Sequence, residues 1–117
     1  MVGGFSDGRP FLGFVDMIGT SFEEDFLATG FGGYLALPLI RERWRPDITE
    51  AEARALLEDC MKVLYYRDCK ASTRVLFSTA TAEGTEISEP VEIQTDWNVA
   101  NFDRIHGVPA GFDGSSW

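Results

Sequence analysis

Few side chains in this sequence could do covalent chemistry, and their spacing closes off more mechanisms than it opens. His106 is the only histidine, so a histidine-rich metal site cannot be built from this chain. Cys60 and Cys69 are too sparse to staple a secreted fold and read as reduced thiols of an intracellular protein. A Cys60–Cys69 disulfide stays open, provided a helix ends between them. Gly30-Phe31-Gly32-Gly33 precedes a helical run, where free backbone N–H groups could cradle a phosphate. No Gly-Lys-Ser/Thr follows and no dinucleotide-binding spacing fits. Close packing of that helix against a neighbouring strand is the better reading of the glycines. Arg41, Arg43 and Arg45 cluster near one helix end and read as complements to its C-terminal dipole rather than as an anion site. No cofactor and no metal is implied.

The elements that must position these residues belong to a packed protein. The apolar fraction is 44% and the aromatic fraction 13%, values of a globular domain rather than a disordered chain. A length of 117 residues suits one domain with a modest core. Ten basic residues against nineteen acidic ones give a net charge of −9, which argues against nucleic acid as a partner, because counterion release needs clustered Lys and Arg. No signal-peptide pattern is present, and no apolar run is long enough to cross a bilayer, so no membrane partner is expected.

Along the chain, residues 2–5 and 10–18 read as a hairpin around Ser6-Asp7-Gly8-Arg9. Phe11, Val15 and Met17 share one face of its second strand, while Leu12, Phe14 and Ile18 share the other. Such a strand expects cover on both sides. Residues 20–26 read as an acidic surface loop. A helix is predicted from the glycines to about Trp44, bent at Pro38. After Arg45-Pro46-Asp47, Thr49-x-x-Glu52 forms a capping box that opens a second helix. Its predicted buried stripe is Ala53, Leu56, Leu57, Cys60, Val63 and Leu64, with Glu58 and Lys62 paired outside. Residues 73–81 and 85–94 make a second hairpin around Ala82-Glu83-Gly84. From Trp97 onward no period is visible, and an extended arm is expected. The order is β-β-α-α-β-β-tail. The chain opens as if in the middle of a strand, at what would be an internal methionine, and so reads as the C-terminal part of a larger domain.

Four blocks then carry a resemblance. Val2-Gly3-Gly4-Phe5, Phe11-Leu12-Gly13-Phe14-Val15-Asp16-Met17-Ile18-Gly19, Leu27-Ala28-Thr29-Gly30-Phe31-Gly32-Gly33-Tyr34-Leu35-Ala36 and Cys60-Met61-Lys62-Val63-Leu64-Tyr65-Tyr66-Arg67-Asp68 resemble the β subunits of the 20S proteasome. Pro38-Leu39-Ile40-Arg41-Glu42 and Gln94-Thr95-Asp96-Trp97-Asn98 are most similar to the eukaryotic subunit in the seventh β position. The resemblance covers about residues 2–105. It implies an α+β fold, here part of a four-layer αββα sandwich of the N-terminal-nucleophile hydrolase type. Residues 1–96 would be the C-terminal half of that domain and 97–117 an extended C-terminal tail.

Active members of the family hydrolyse peptides with an N-terminal threonine, assisted by a lysine and an aspartate. On the resemblance, those groups belong to the first half of the domain and are expected outside this sequence. Where active members have Gly-Ser-Gly, this chain has Gly30-Phe31-Gly32, so a phenyl ring replaces a hydroxyl. Where they have Arg-Asp-x-x-Ser, it has Arg67-Asp68-Cys69-Lys70-Ala71, with Ser72 one place late. A hydroxyl network so depleted orients a nucleophile poorly. Asp68 is therefore read as a relic position, a helix-end carboxylate near Arg67 or backbone N–H groups. The implied function is that of a non-catalytic ring subunit in intracellular protein degradation, cytoplasmic and nuclear, whose partners are the other α and β subunits. Its helical pair would lie near the ring–ring contact, and Trp97, Phe102, Ile105, Phe112 and Trp117 would reach over neighbouring subunits, since aromatics anchor well in pockets. Two alternatives stand beside it: an active threonine-type peptidase subunit whose first half lies outside this sequence, and an independent α/β dimerisation module.

Overall fold

The computed structural model describes residues 1–97, an α+β arrangement of two helices and seven short strands. The expected tail residues Phe102, Ile105, His106, Phe112 and Trp117 lie outside the described residues.

Strands β1 (Val2–Ser6) and β2 (Arg9–Val15) pair antiparallel, with Val2 opposite Gly13 and Ser6 opposite Arg9. Asp7 and Gly8 form the two-residue loop with φ of 52° and 78°. That conformation matches the twist of a hairpin, and Asp-Gly tolerates it. β2 stops at Val15 rather than residue 18, because Asp16 turns the chain. Its Oδ1 accepts the N–H groups of Ile18 and Thr20, each at 2.9 Å. Its own N–H donates to the Thr20 carbonyl at 3.0 Å. Such a side-chain-held turn competes with the ladder. The chain then returns as β3 (Ser21–Glu23), antiparallel to β2. The acidic loop expected over 20–26 is thus partly a third strand, with Phe22 stacked on Phe14 at 5.2 Å between centroids. Met17 and Ile18, expected on opposite strand faces, stand on the turn with 96% and 83% of their surface exposed.

Helix α1 (Gly32–Arg43) includes Pro38, and α2 (Glu50–Arg67) starts at the predicted box. Thr49 Oγ1 accepts the Glu52 N–H at 3.3 Å, and Glu52 Oε2 accepts the Thr49 N–H at 2.9 Å. The helices bury Ala36 and Ile40 against Leu56 and Cys60, ringed by Phe26, Ala28, Leu39, Trp44, Ile48 and Leu64. A Cβ on Gly32 would lie 3.3 Å from the Ala28 methyl and 3.9 Å from Leu64 Cδ1. The close approach the glycines permit is therefore to the preceding segment and to α2, not to a strand. Of the predicted stripe on α2, Leu56 and Cys60 are buried, while Leu57 is 46% exposed. The expected Glu58–Lys62 pair does not form. Glu58 lies 3.8 Å from Arg54, and Lys62 lies 3.5 Å from Asp59, each an equally good neighbour on a helix surface.

The second hairpin is interrupted. β4 (Arg74–Val75) pairs with β7 (Val91–Glu92), and β5 (Ser78–Thr81) with β6 (Gly84–Ile87). Val75 faces Val91 and Ser78 faces Ile87, so two residues on one strand oppose three on the other, a bulge. Pro90 lies in the longer side and has no N–H to give. Ser88 bridges the gap, its N–H donating to the Phe77 carbonyl at 2.8 Å and its Oγ accepting the Phe77 N–H at 3.0 Å. β1 lies beside β5 without sharing a ladder. α2 meets the hairpin through Arg54, 4.4 Å above the Phe77 ring, and through Thr79, whose hydroxyl donates to Glu50 at 3.0 Å. The observed order is β-β-β-α-α-β-β-β-β.

Candidate functional site

Three places merit description: the glycine-flanked start of α1, the C-terminal end of α2, and the turn between the helices. At the first, Phe31 is the N-cap residue of α1 and makes no side-chain cap bond. Its ring leans edge-on to Tyr34 at 6.3 Å and is 55% exposed. A phenyl group offers neither donor nor acceptor, so residue 31 itself supplies no hydroxyl at this helix start. The backbone takes over the cap: the Gly33 N–H donates to Gly30, and the Tyr34 and Leu35 N–H groups donate to Phe31. Gly30 adopts φ of 60°, the left-handed conformation that favours glycine.

At the end of α2, Asp68 is the C-cap, its N–H bonded to the Leu64 carbonyl at 2.8 Å. Its Oδ1 accepts the Lys70 N–H at 3.0 Å, and its carbonyl accepts the Ala71 N–H at 3.0 Å. Ser72 Oγ accepts the Arg74 N–H at 3.1 Å. Both side chains are thus engaged in local turns, and the structure does not join them to each other. Next to them stands a cluster that sequence reasoning missed. The Asp96 N–H donates to the Tyr66 hydroxyl at 2.6 Å, and that hydroxyl donates to the Asp96 carbonyl at 3.2 Å. The Trp97 ring packs edge-on against Tyr66 at 4.9 Å and Tyr65 at 5.8 Å. The paired tyrosines at a helix end and the isolated tryptophan were visible in the sequence, but a separation of about thirty residues hid their meeting. Of the five expected interface residues, only Trp97 is among the described residues. It is 60% exposed.

Between the helices, Arg43 Nη1 lies 2.7 Å from Asp59 Oδ2, and Arg45 bonds both Asp47 and Glu52. Two of the arginines read as dipole complements are therefore side-chain ion pairs that tie the helix ends together. Hydrogen bonds from Thr49, then the Arg45 guanidinium, hold the Glu52 carboxyl down at about 2. The Arg43 hydrogen bond keeps Asp59 below the usual carboxylate range. Burial pushes the Cys60 thiol up, away from reactivity. Cys60 and Cys69 are both free. An apolar cavity of about 500 Å³ opens between the helical pair and residues 75–78, lined by Ala36, Ile40, Leu57, Met61, Leu64 and Leu76 among others. Among the described residues, no group of three His, Cys, Asp or Glu side chains is arranged to hold a metal ion, and no helix is long and apolar enough to cross a membrane.

The arrangement is one of packing contacts and turn bonds, and comparison with known proteins agrees with its sequence blocks. The family described as "Proteasome subunit" matches residues 1–79. The chain is 42% identical over 115 residues to "Proteasome subunit beta type-4" of Arabidopsis thaliana, covering 98% of this chain and 46% of that protein. It is 44% identical over 103 residues to the protein of the same name from Xenopus laevis, covering 86% and 43%. The Dictyostelium discoideum protein of that name is 40% identical over 113 residues, covering 90% and 44%. The chain thus spans less than half the length of these curated relatives. With a family match over most of its length and relatives well above 30% identity, it belongs to the proteasome subunit family.

Proposed function

We propose that this chain contributes to a non-catalytic β subunit of the 20S proteasome core and works through contacts rather than bond cleavage. The observation that carries this reading is Phe31 at the start of α1. Resemblance to active family members expects a serine hydroxyl there, and an exposed phenyl ring stands in its place. Likeness to proteins named beta type-4 over 98% of the chain supports the same reading. Residues 1–96 form part of a four-layer αββα sandwich of the N-terminal-nucleophile type. Residues 97–117 are read as a contact segment. Its large apolar side chains, Trp97, Phe102, Ile105, Phe112 and Trp117, would seat against neighbouring α and β subunits. Asp68 is a relic position that now organises the end of α2. The particle operates in the cytoplasm and nucleus, on intracellular proteins.

The test is made on the intact subunit in cells. An affinity-tagged copy should co-purify with 20S particles at one copy per β ring and stay unlabelled by an electrophilic probe directed at N-terminal threonines. Labelling of the subunit, or its absence from the particle, overturns the reading.

A further inference from the structure

We infer that the Tyr66 hydroxyl is a positioning group that fixes how Asp96 and Trp97 are presented at the end of α2. The inference rests on the ring-subunit reading above and deepens it by naming what orients Trp97. Two observations carry it. First, one hydroxyl makes both bonds to the same residue of backbone, accepting the Asp96 N–H at 2.6 Å and donating to the Asp96 carbonyl at 3.2 Å. A group that engages both sides of one peptide segment restrains its rotation as well as its distance. Second, Trp97 follows immediately and sets its ring edge-on to both Tyr66 and Tyr65, at 4.9 and 5.8 Å. Edge-to-face contacts have a preferred geometry, so they hold an orientation rather than a mere proximity.

The platform under this clamp is rigid. Tyr65 and Tyr66 occupy the last turn of the eighteen-residue α2, whose Cys60 is locked against Ala36 of α1. The path into Asp96 is also held: the Ile93 N–H donates to the Thr73 carbonyl at 2.8 Å, and Ile93 is buried. The segment from Ile93 to Trp97 is therefore pinned at both ends. Trp97 nevertheless keeps 60% of its surface exposed. A large aromatic that is held in orientation yet left largely open by the described residues is preorganised for a partner, because its ordering cost is met before contact. The partner it fits is an adjoining subunit of the same particle.

Tyr66→Phe in the intact subunit separates this role from simple stability. It removes the hydroxyl while keeping the ring under Trp97. Hydrogen exchange of the peptide containing Asp96 should accelerate at least tenfold, with exchange across residues 53–64 unchanged. At equal subunit abundance, the fraction incorporated into 20S particles should fall several-fold. Trp97→Ala should reproduce the incorporation loss, whereas Tyr65→Phe, which retains the Tyr65 ring, should incorporate normally. Unchanged exchange at Asp96, or faster exchange with normal incorporation, overturns the positioning role. Loss of protection throughout α2 also overturns it, because the hydroxyl would then serve only to stabilise the helix. If the unmodified subunit fails to enter the particle, it is the ring-subunit reading that falls.

Discussion

At the residue scale, the most local patterns govern what can be foreseen. Thr49 and Glu52 are three apart, and their reciprocal bonds form as their spacing predicts. Thr49→Ala should cost about 1 kcal/mol, read as a shift in urea unfolding. Glu52 titrates in the folded chain at about 2 against an ordinary 4.5, chiefly through Thr49 and then Arg45. A lowered carboxylate pKa means that its contribution is complete above about 4.5 and is lost as pH falls through about 2. Glu52→Gln should flatten the acid-induced loss of helix in that window, followed by circular dichroism, while leaving the neutral-pH spectrum unchanged. The effect should be small, because the pair is solvent-exposed and salt-screened. Arg43 and Asp59, sixteen residues apart, form a pair that no local pattern announces.

At the scale of elements, the helices follow the apolar period and the strands follow their turns. Leu56 is buried in the helix–helix core, and Leu56→Ala should destabilise by about 2–4 kcal/mol in denaturant unfolding. Gly32 meets Ala28 and approaches Leu64, so Gly32→Leu should cost about 1–3 kcal/mol by forcing α1 and α2 apart. The turn at Asp16 and the bulge around Ser88 and Pro90 were harder to anticipate. In both, a side-chain oxygen captures backbone groups that the ladder would otherwise use. Apolar residues continue through residue 18 and recur across 73–94, so the hydrophobic pattern alone overran both interruptions. Pro90 was the visible signal, since it removes a donor from the middle of the expected strand.

At the scale of the whole molecule, the described residues have a small core and much uncovered apolar surface. Among the described residues, the buried hydrophobics are Ala36, Ile40, Leu56, Cys60 and Ile93, while Val15, Met17, Ile18, Phe22, Leu76 and Ile87 are exposed. The 117-residue chain expressed alone should therefore bind the dye ANS strongly and self-associate in sedimentation, and a dye-silent monomer would contradict that expectation. Phe31→Ser in the intact subunit should leave it unlabelled by a threonine-directed probe, because Asp68 and Ser72 stay bound to their local turns. The sequence by itself determined the family blocks, the two helices, the capping box, the first hairpin and the phenylalanine at position 31. Each depends on residues close together in the chain or on their order. The tertiary structure decided which neighbour Gly32 packs against, where the strands break, how Arg43 finds Asp59, and that Tyr66 meets both the Asp96 backbone and the Trp97 ring. The Arg43 and Tyr66 contacts join groups sixteen and thirty residues apart, which only the folded path of the chain brings within hydrogen-bonding distance. The strand breaks rest on shorter-range side-chain bonds, two to eleven residues apart, that a hydrophobic pattern does not encode.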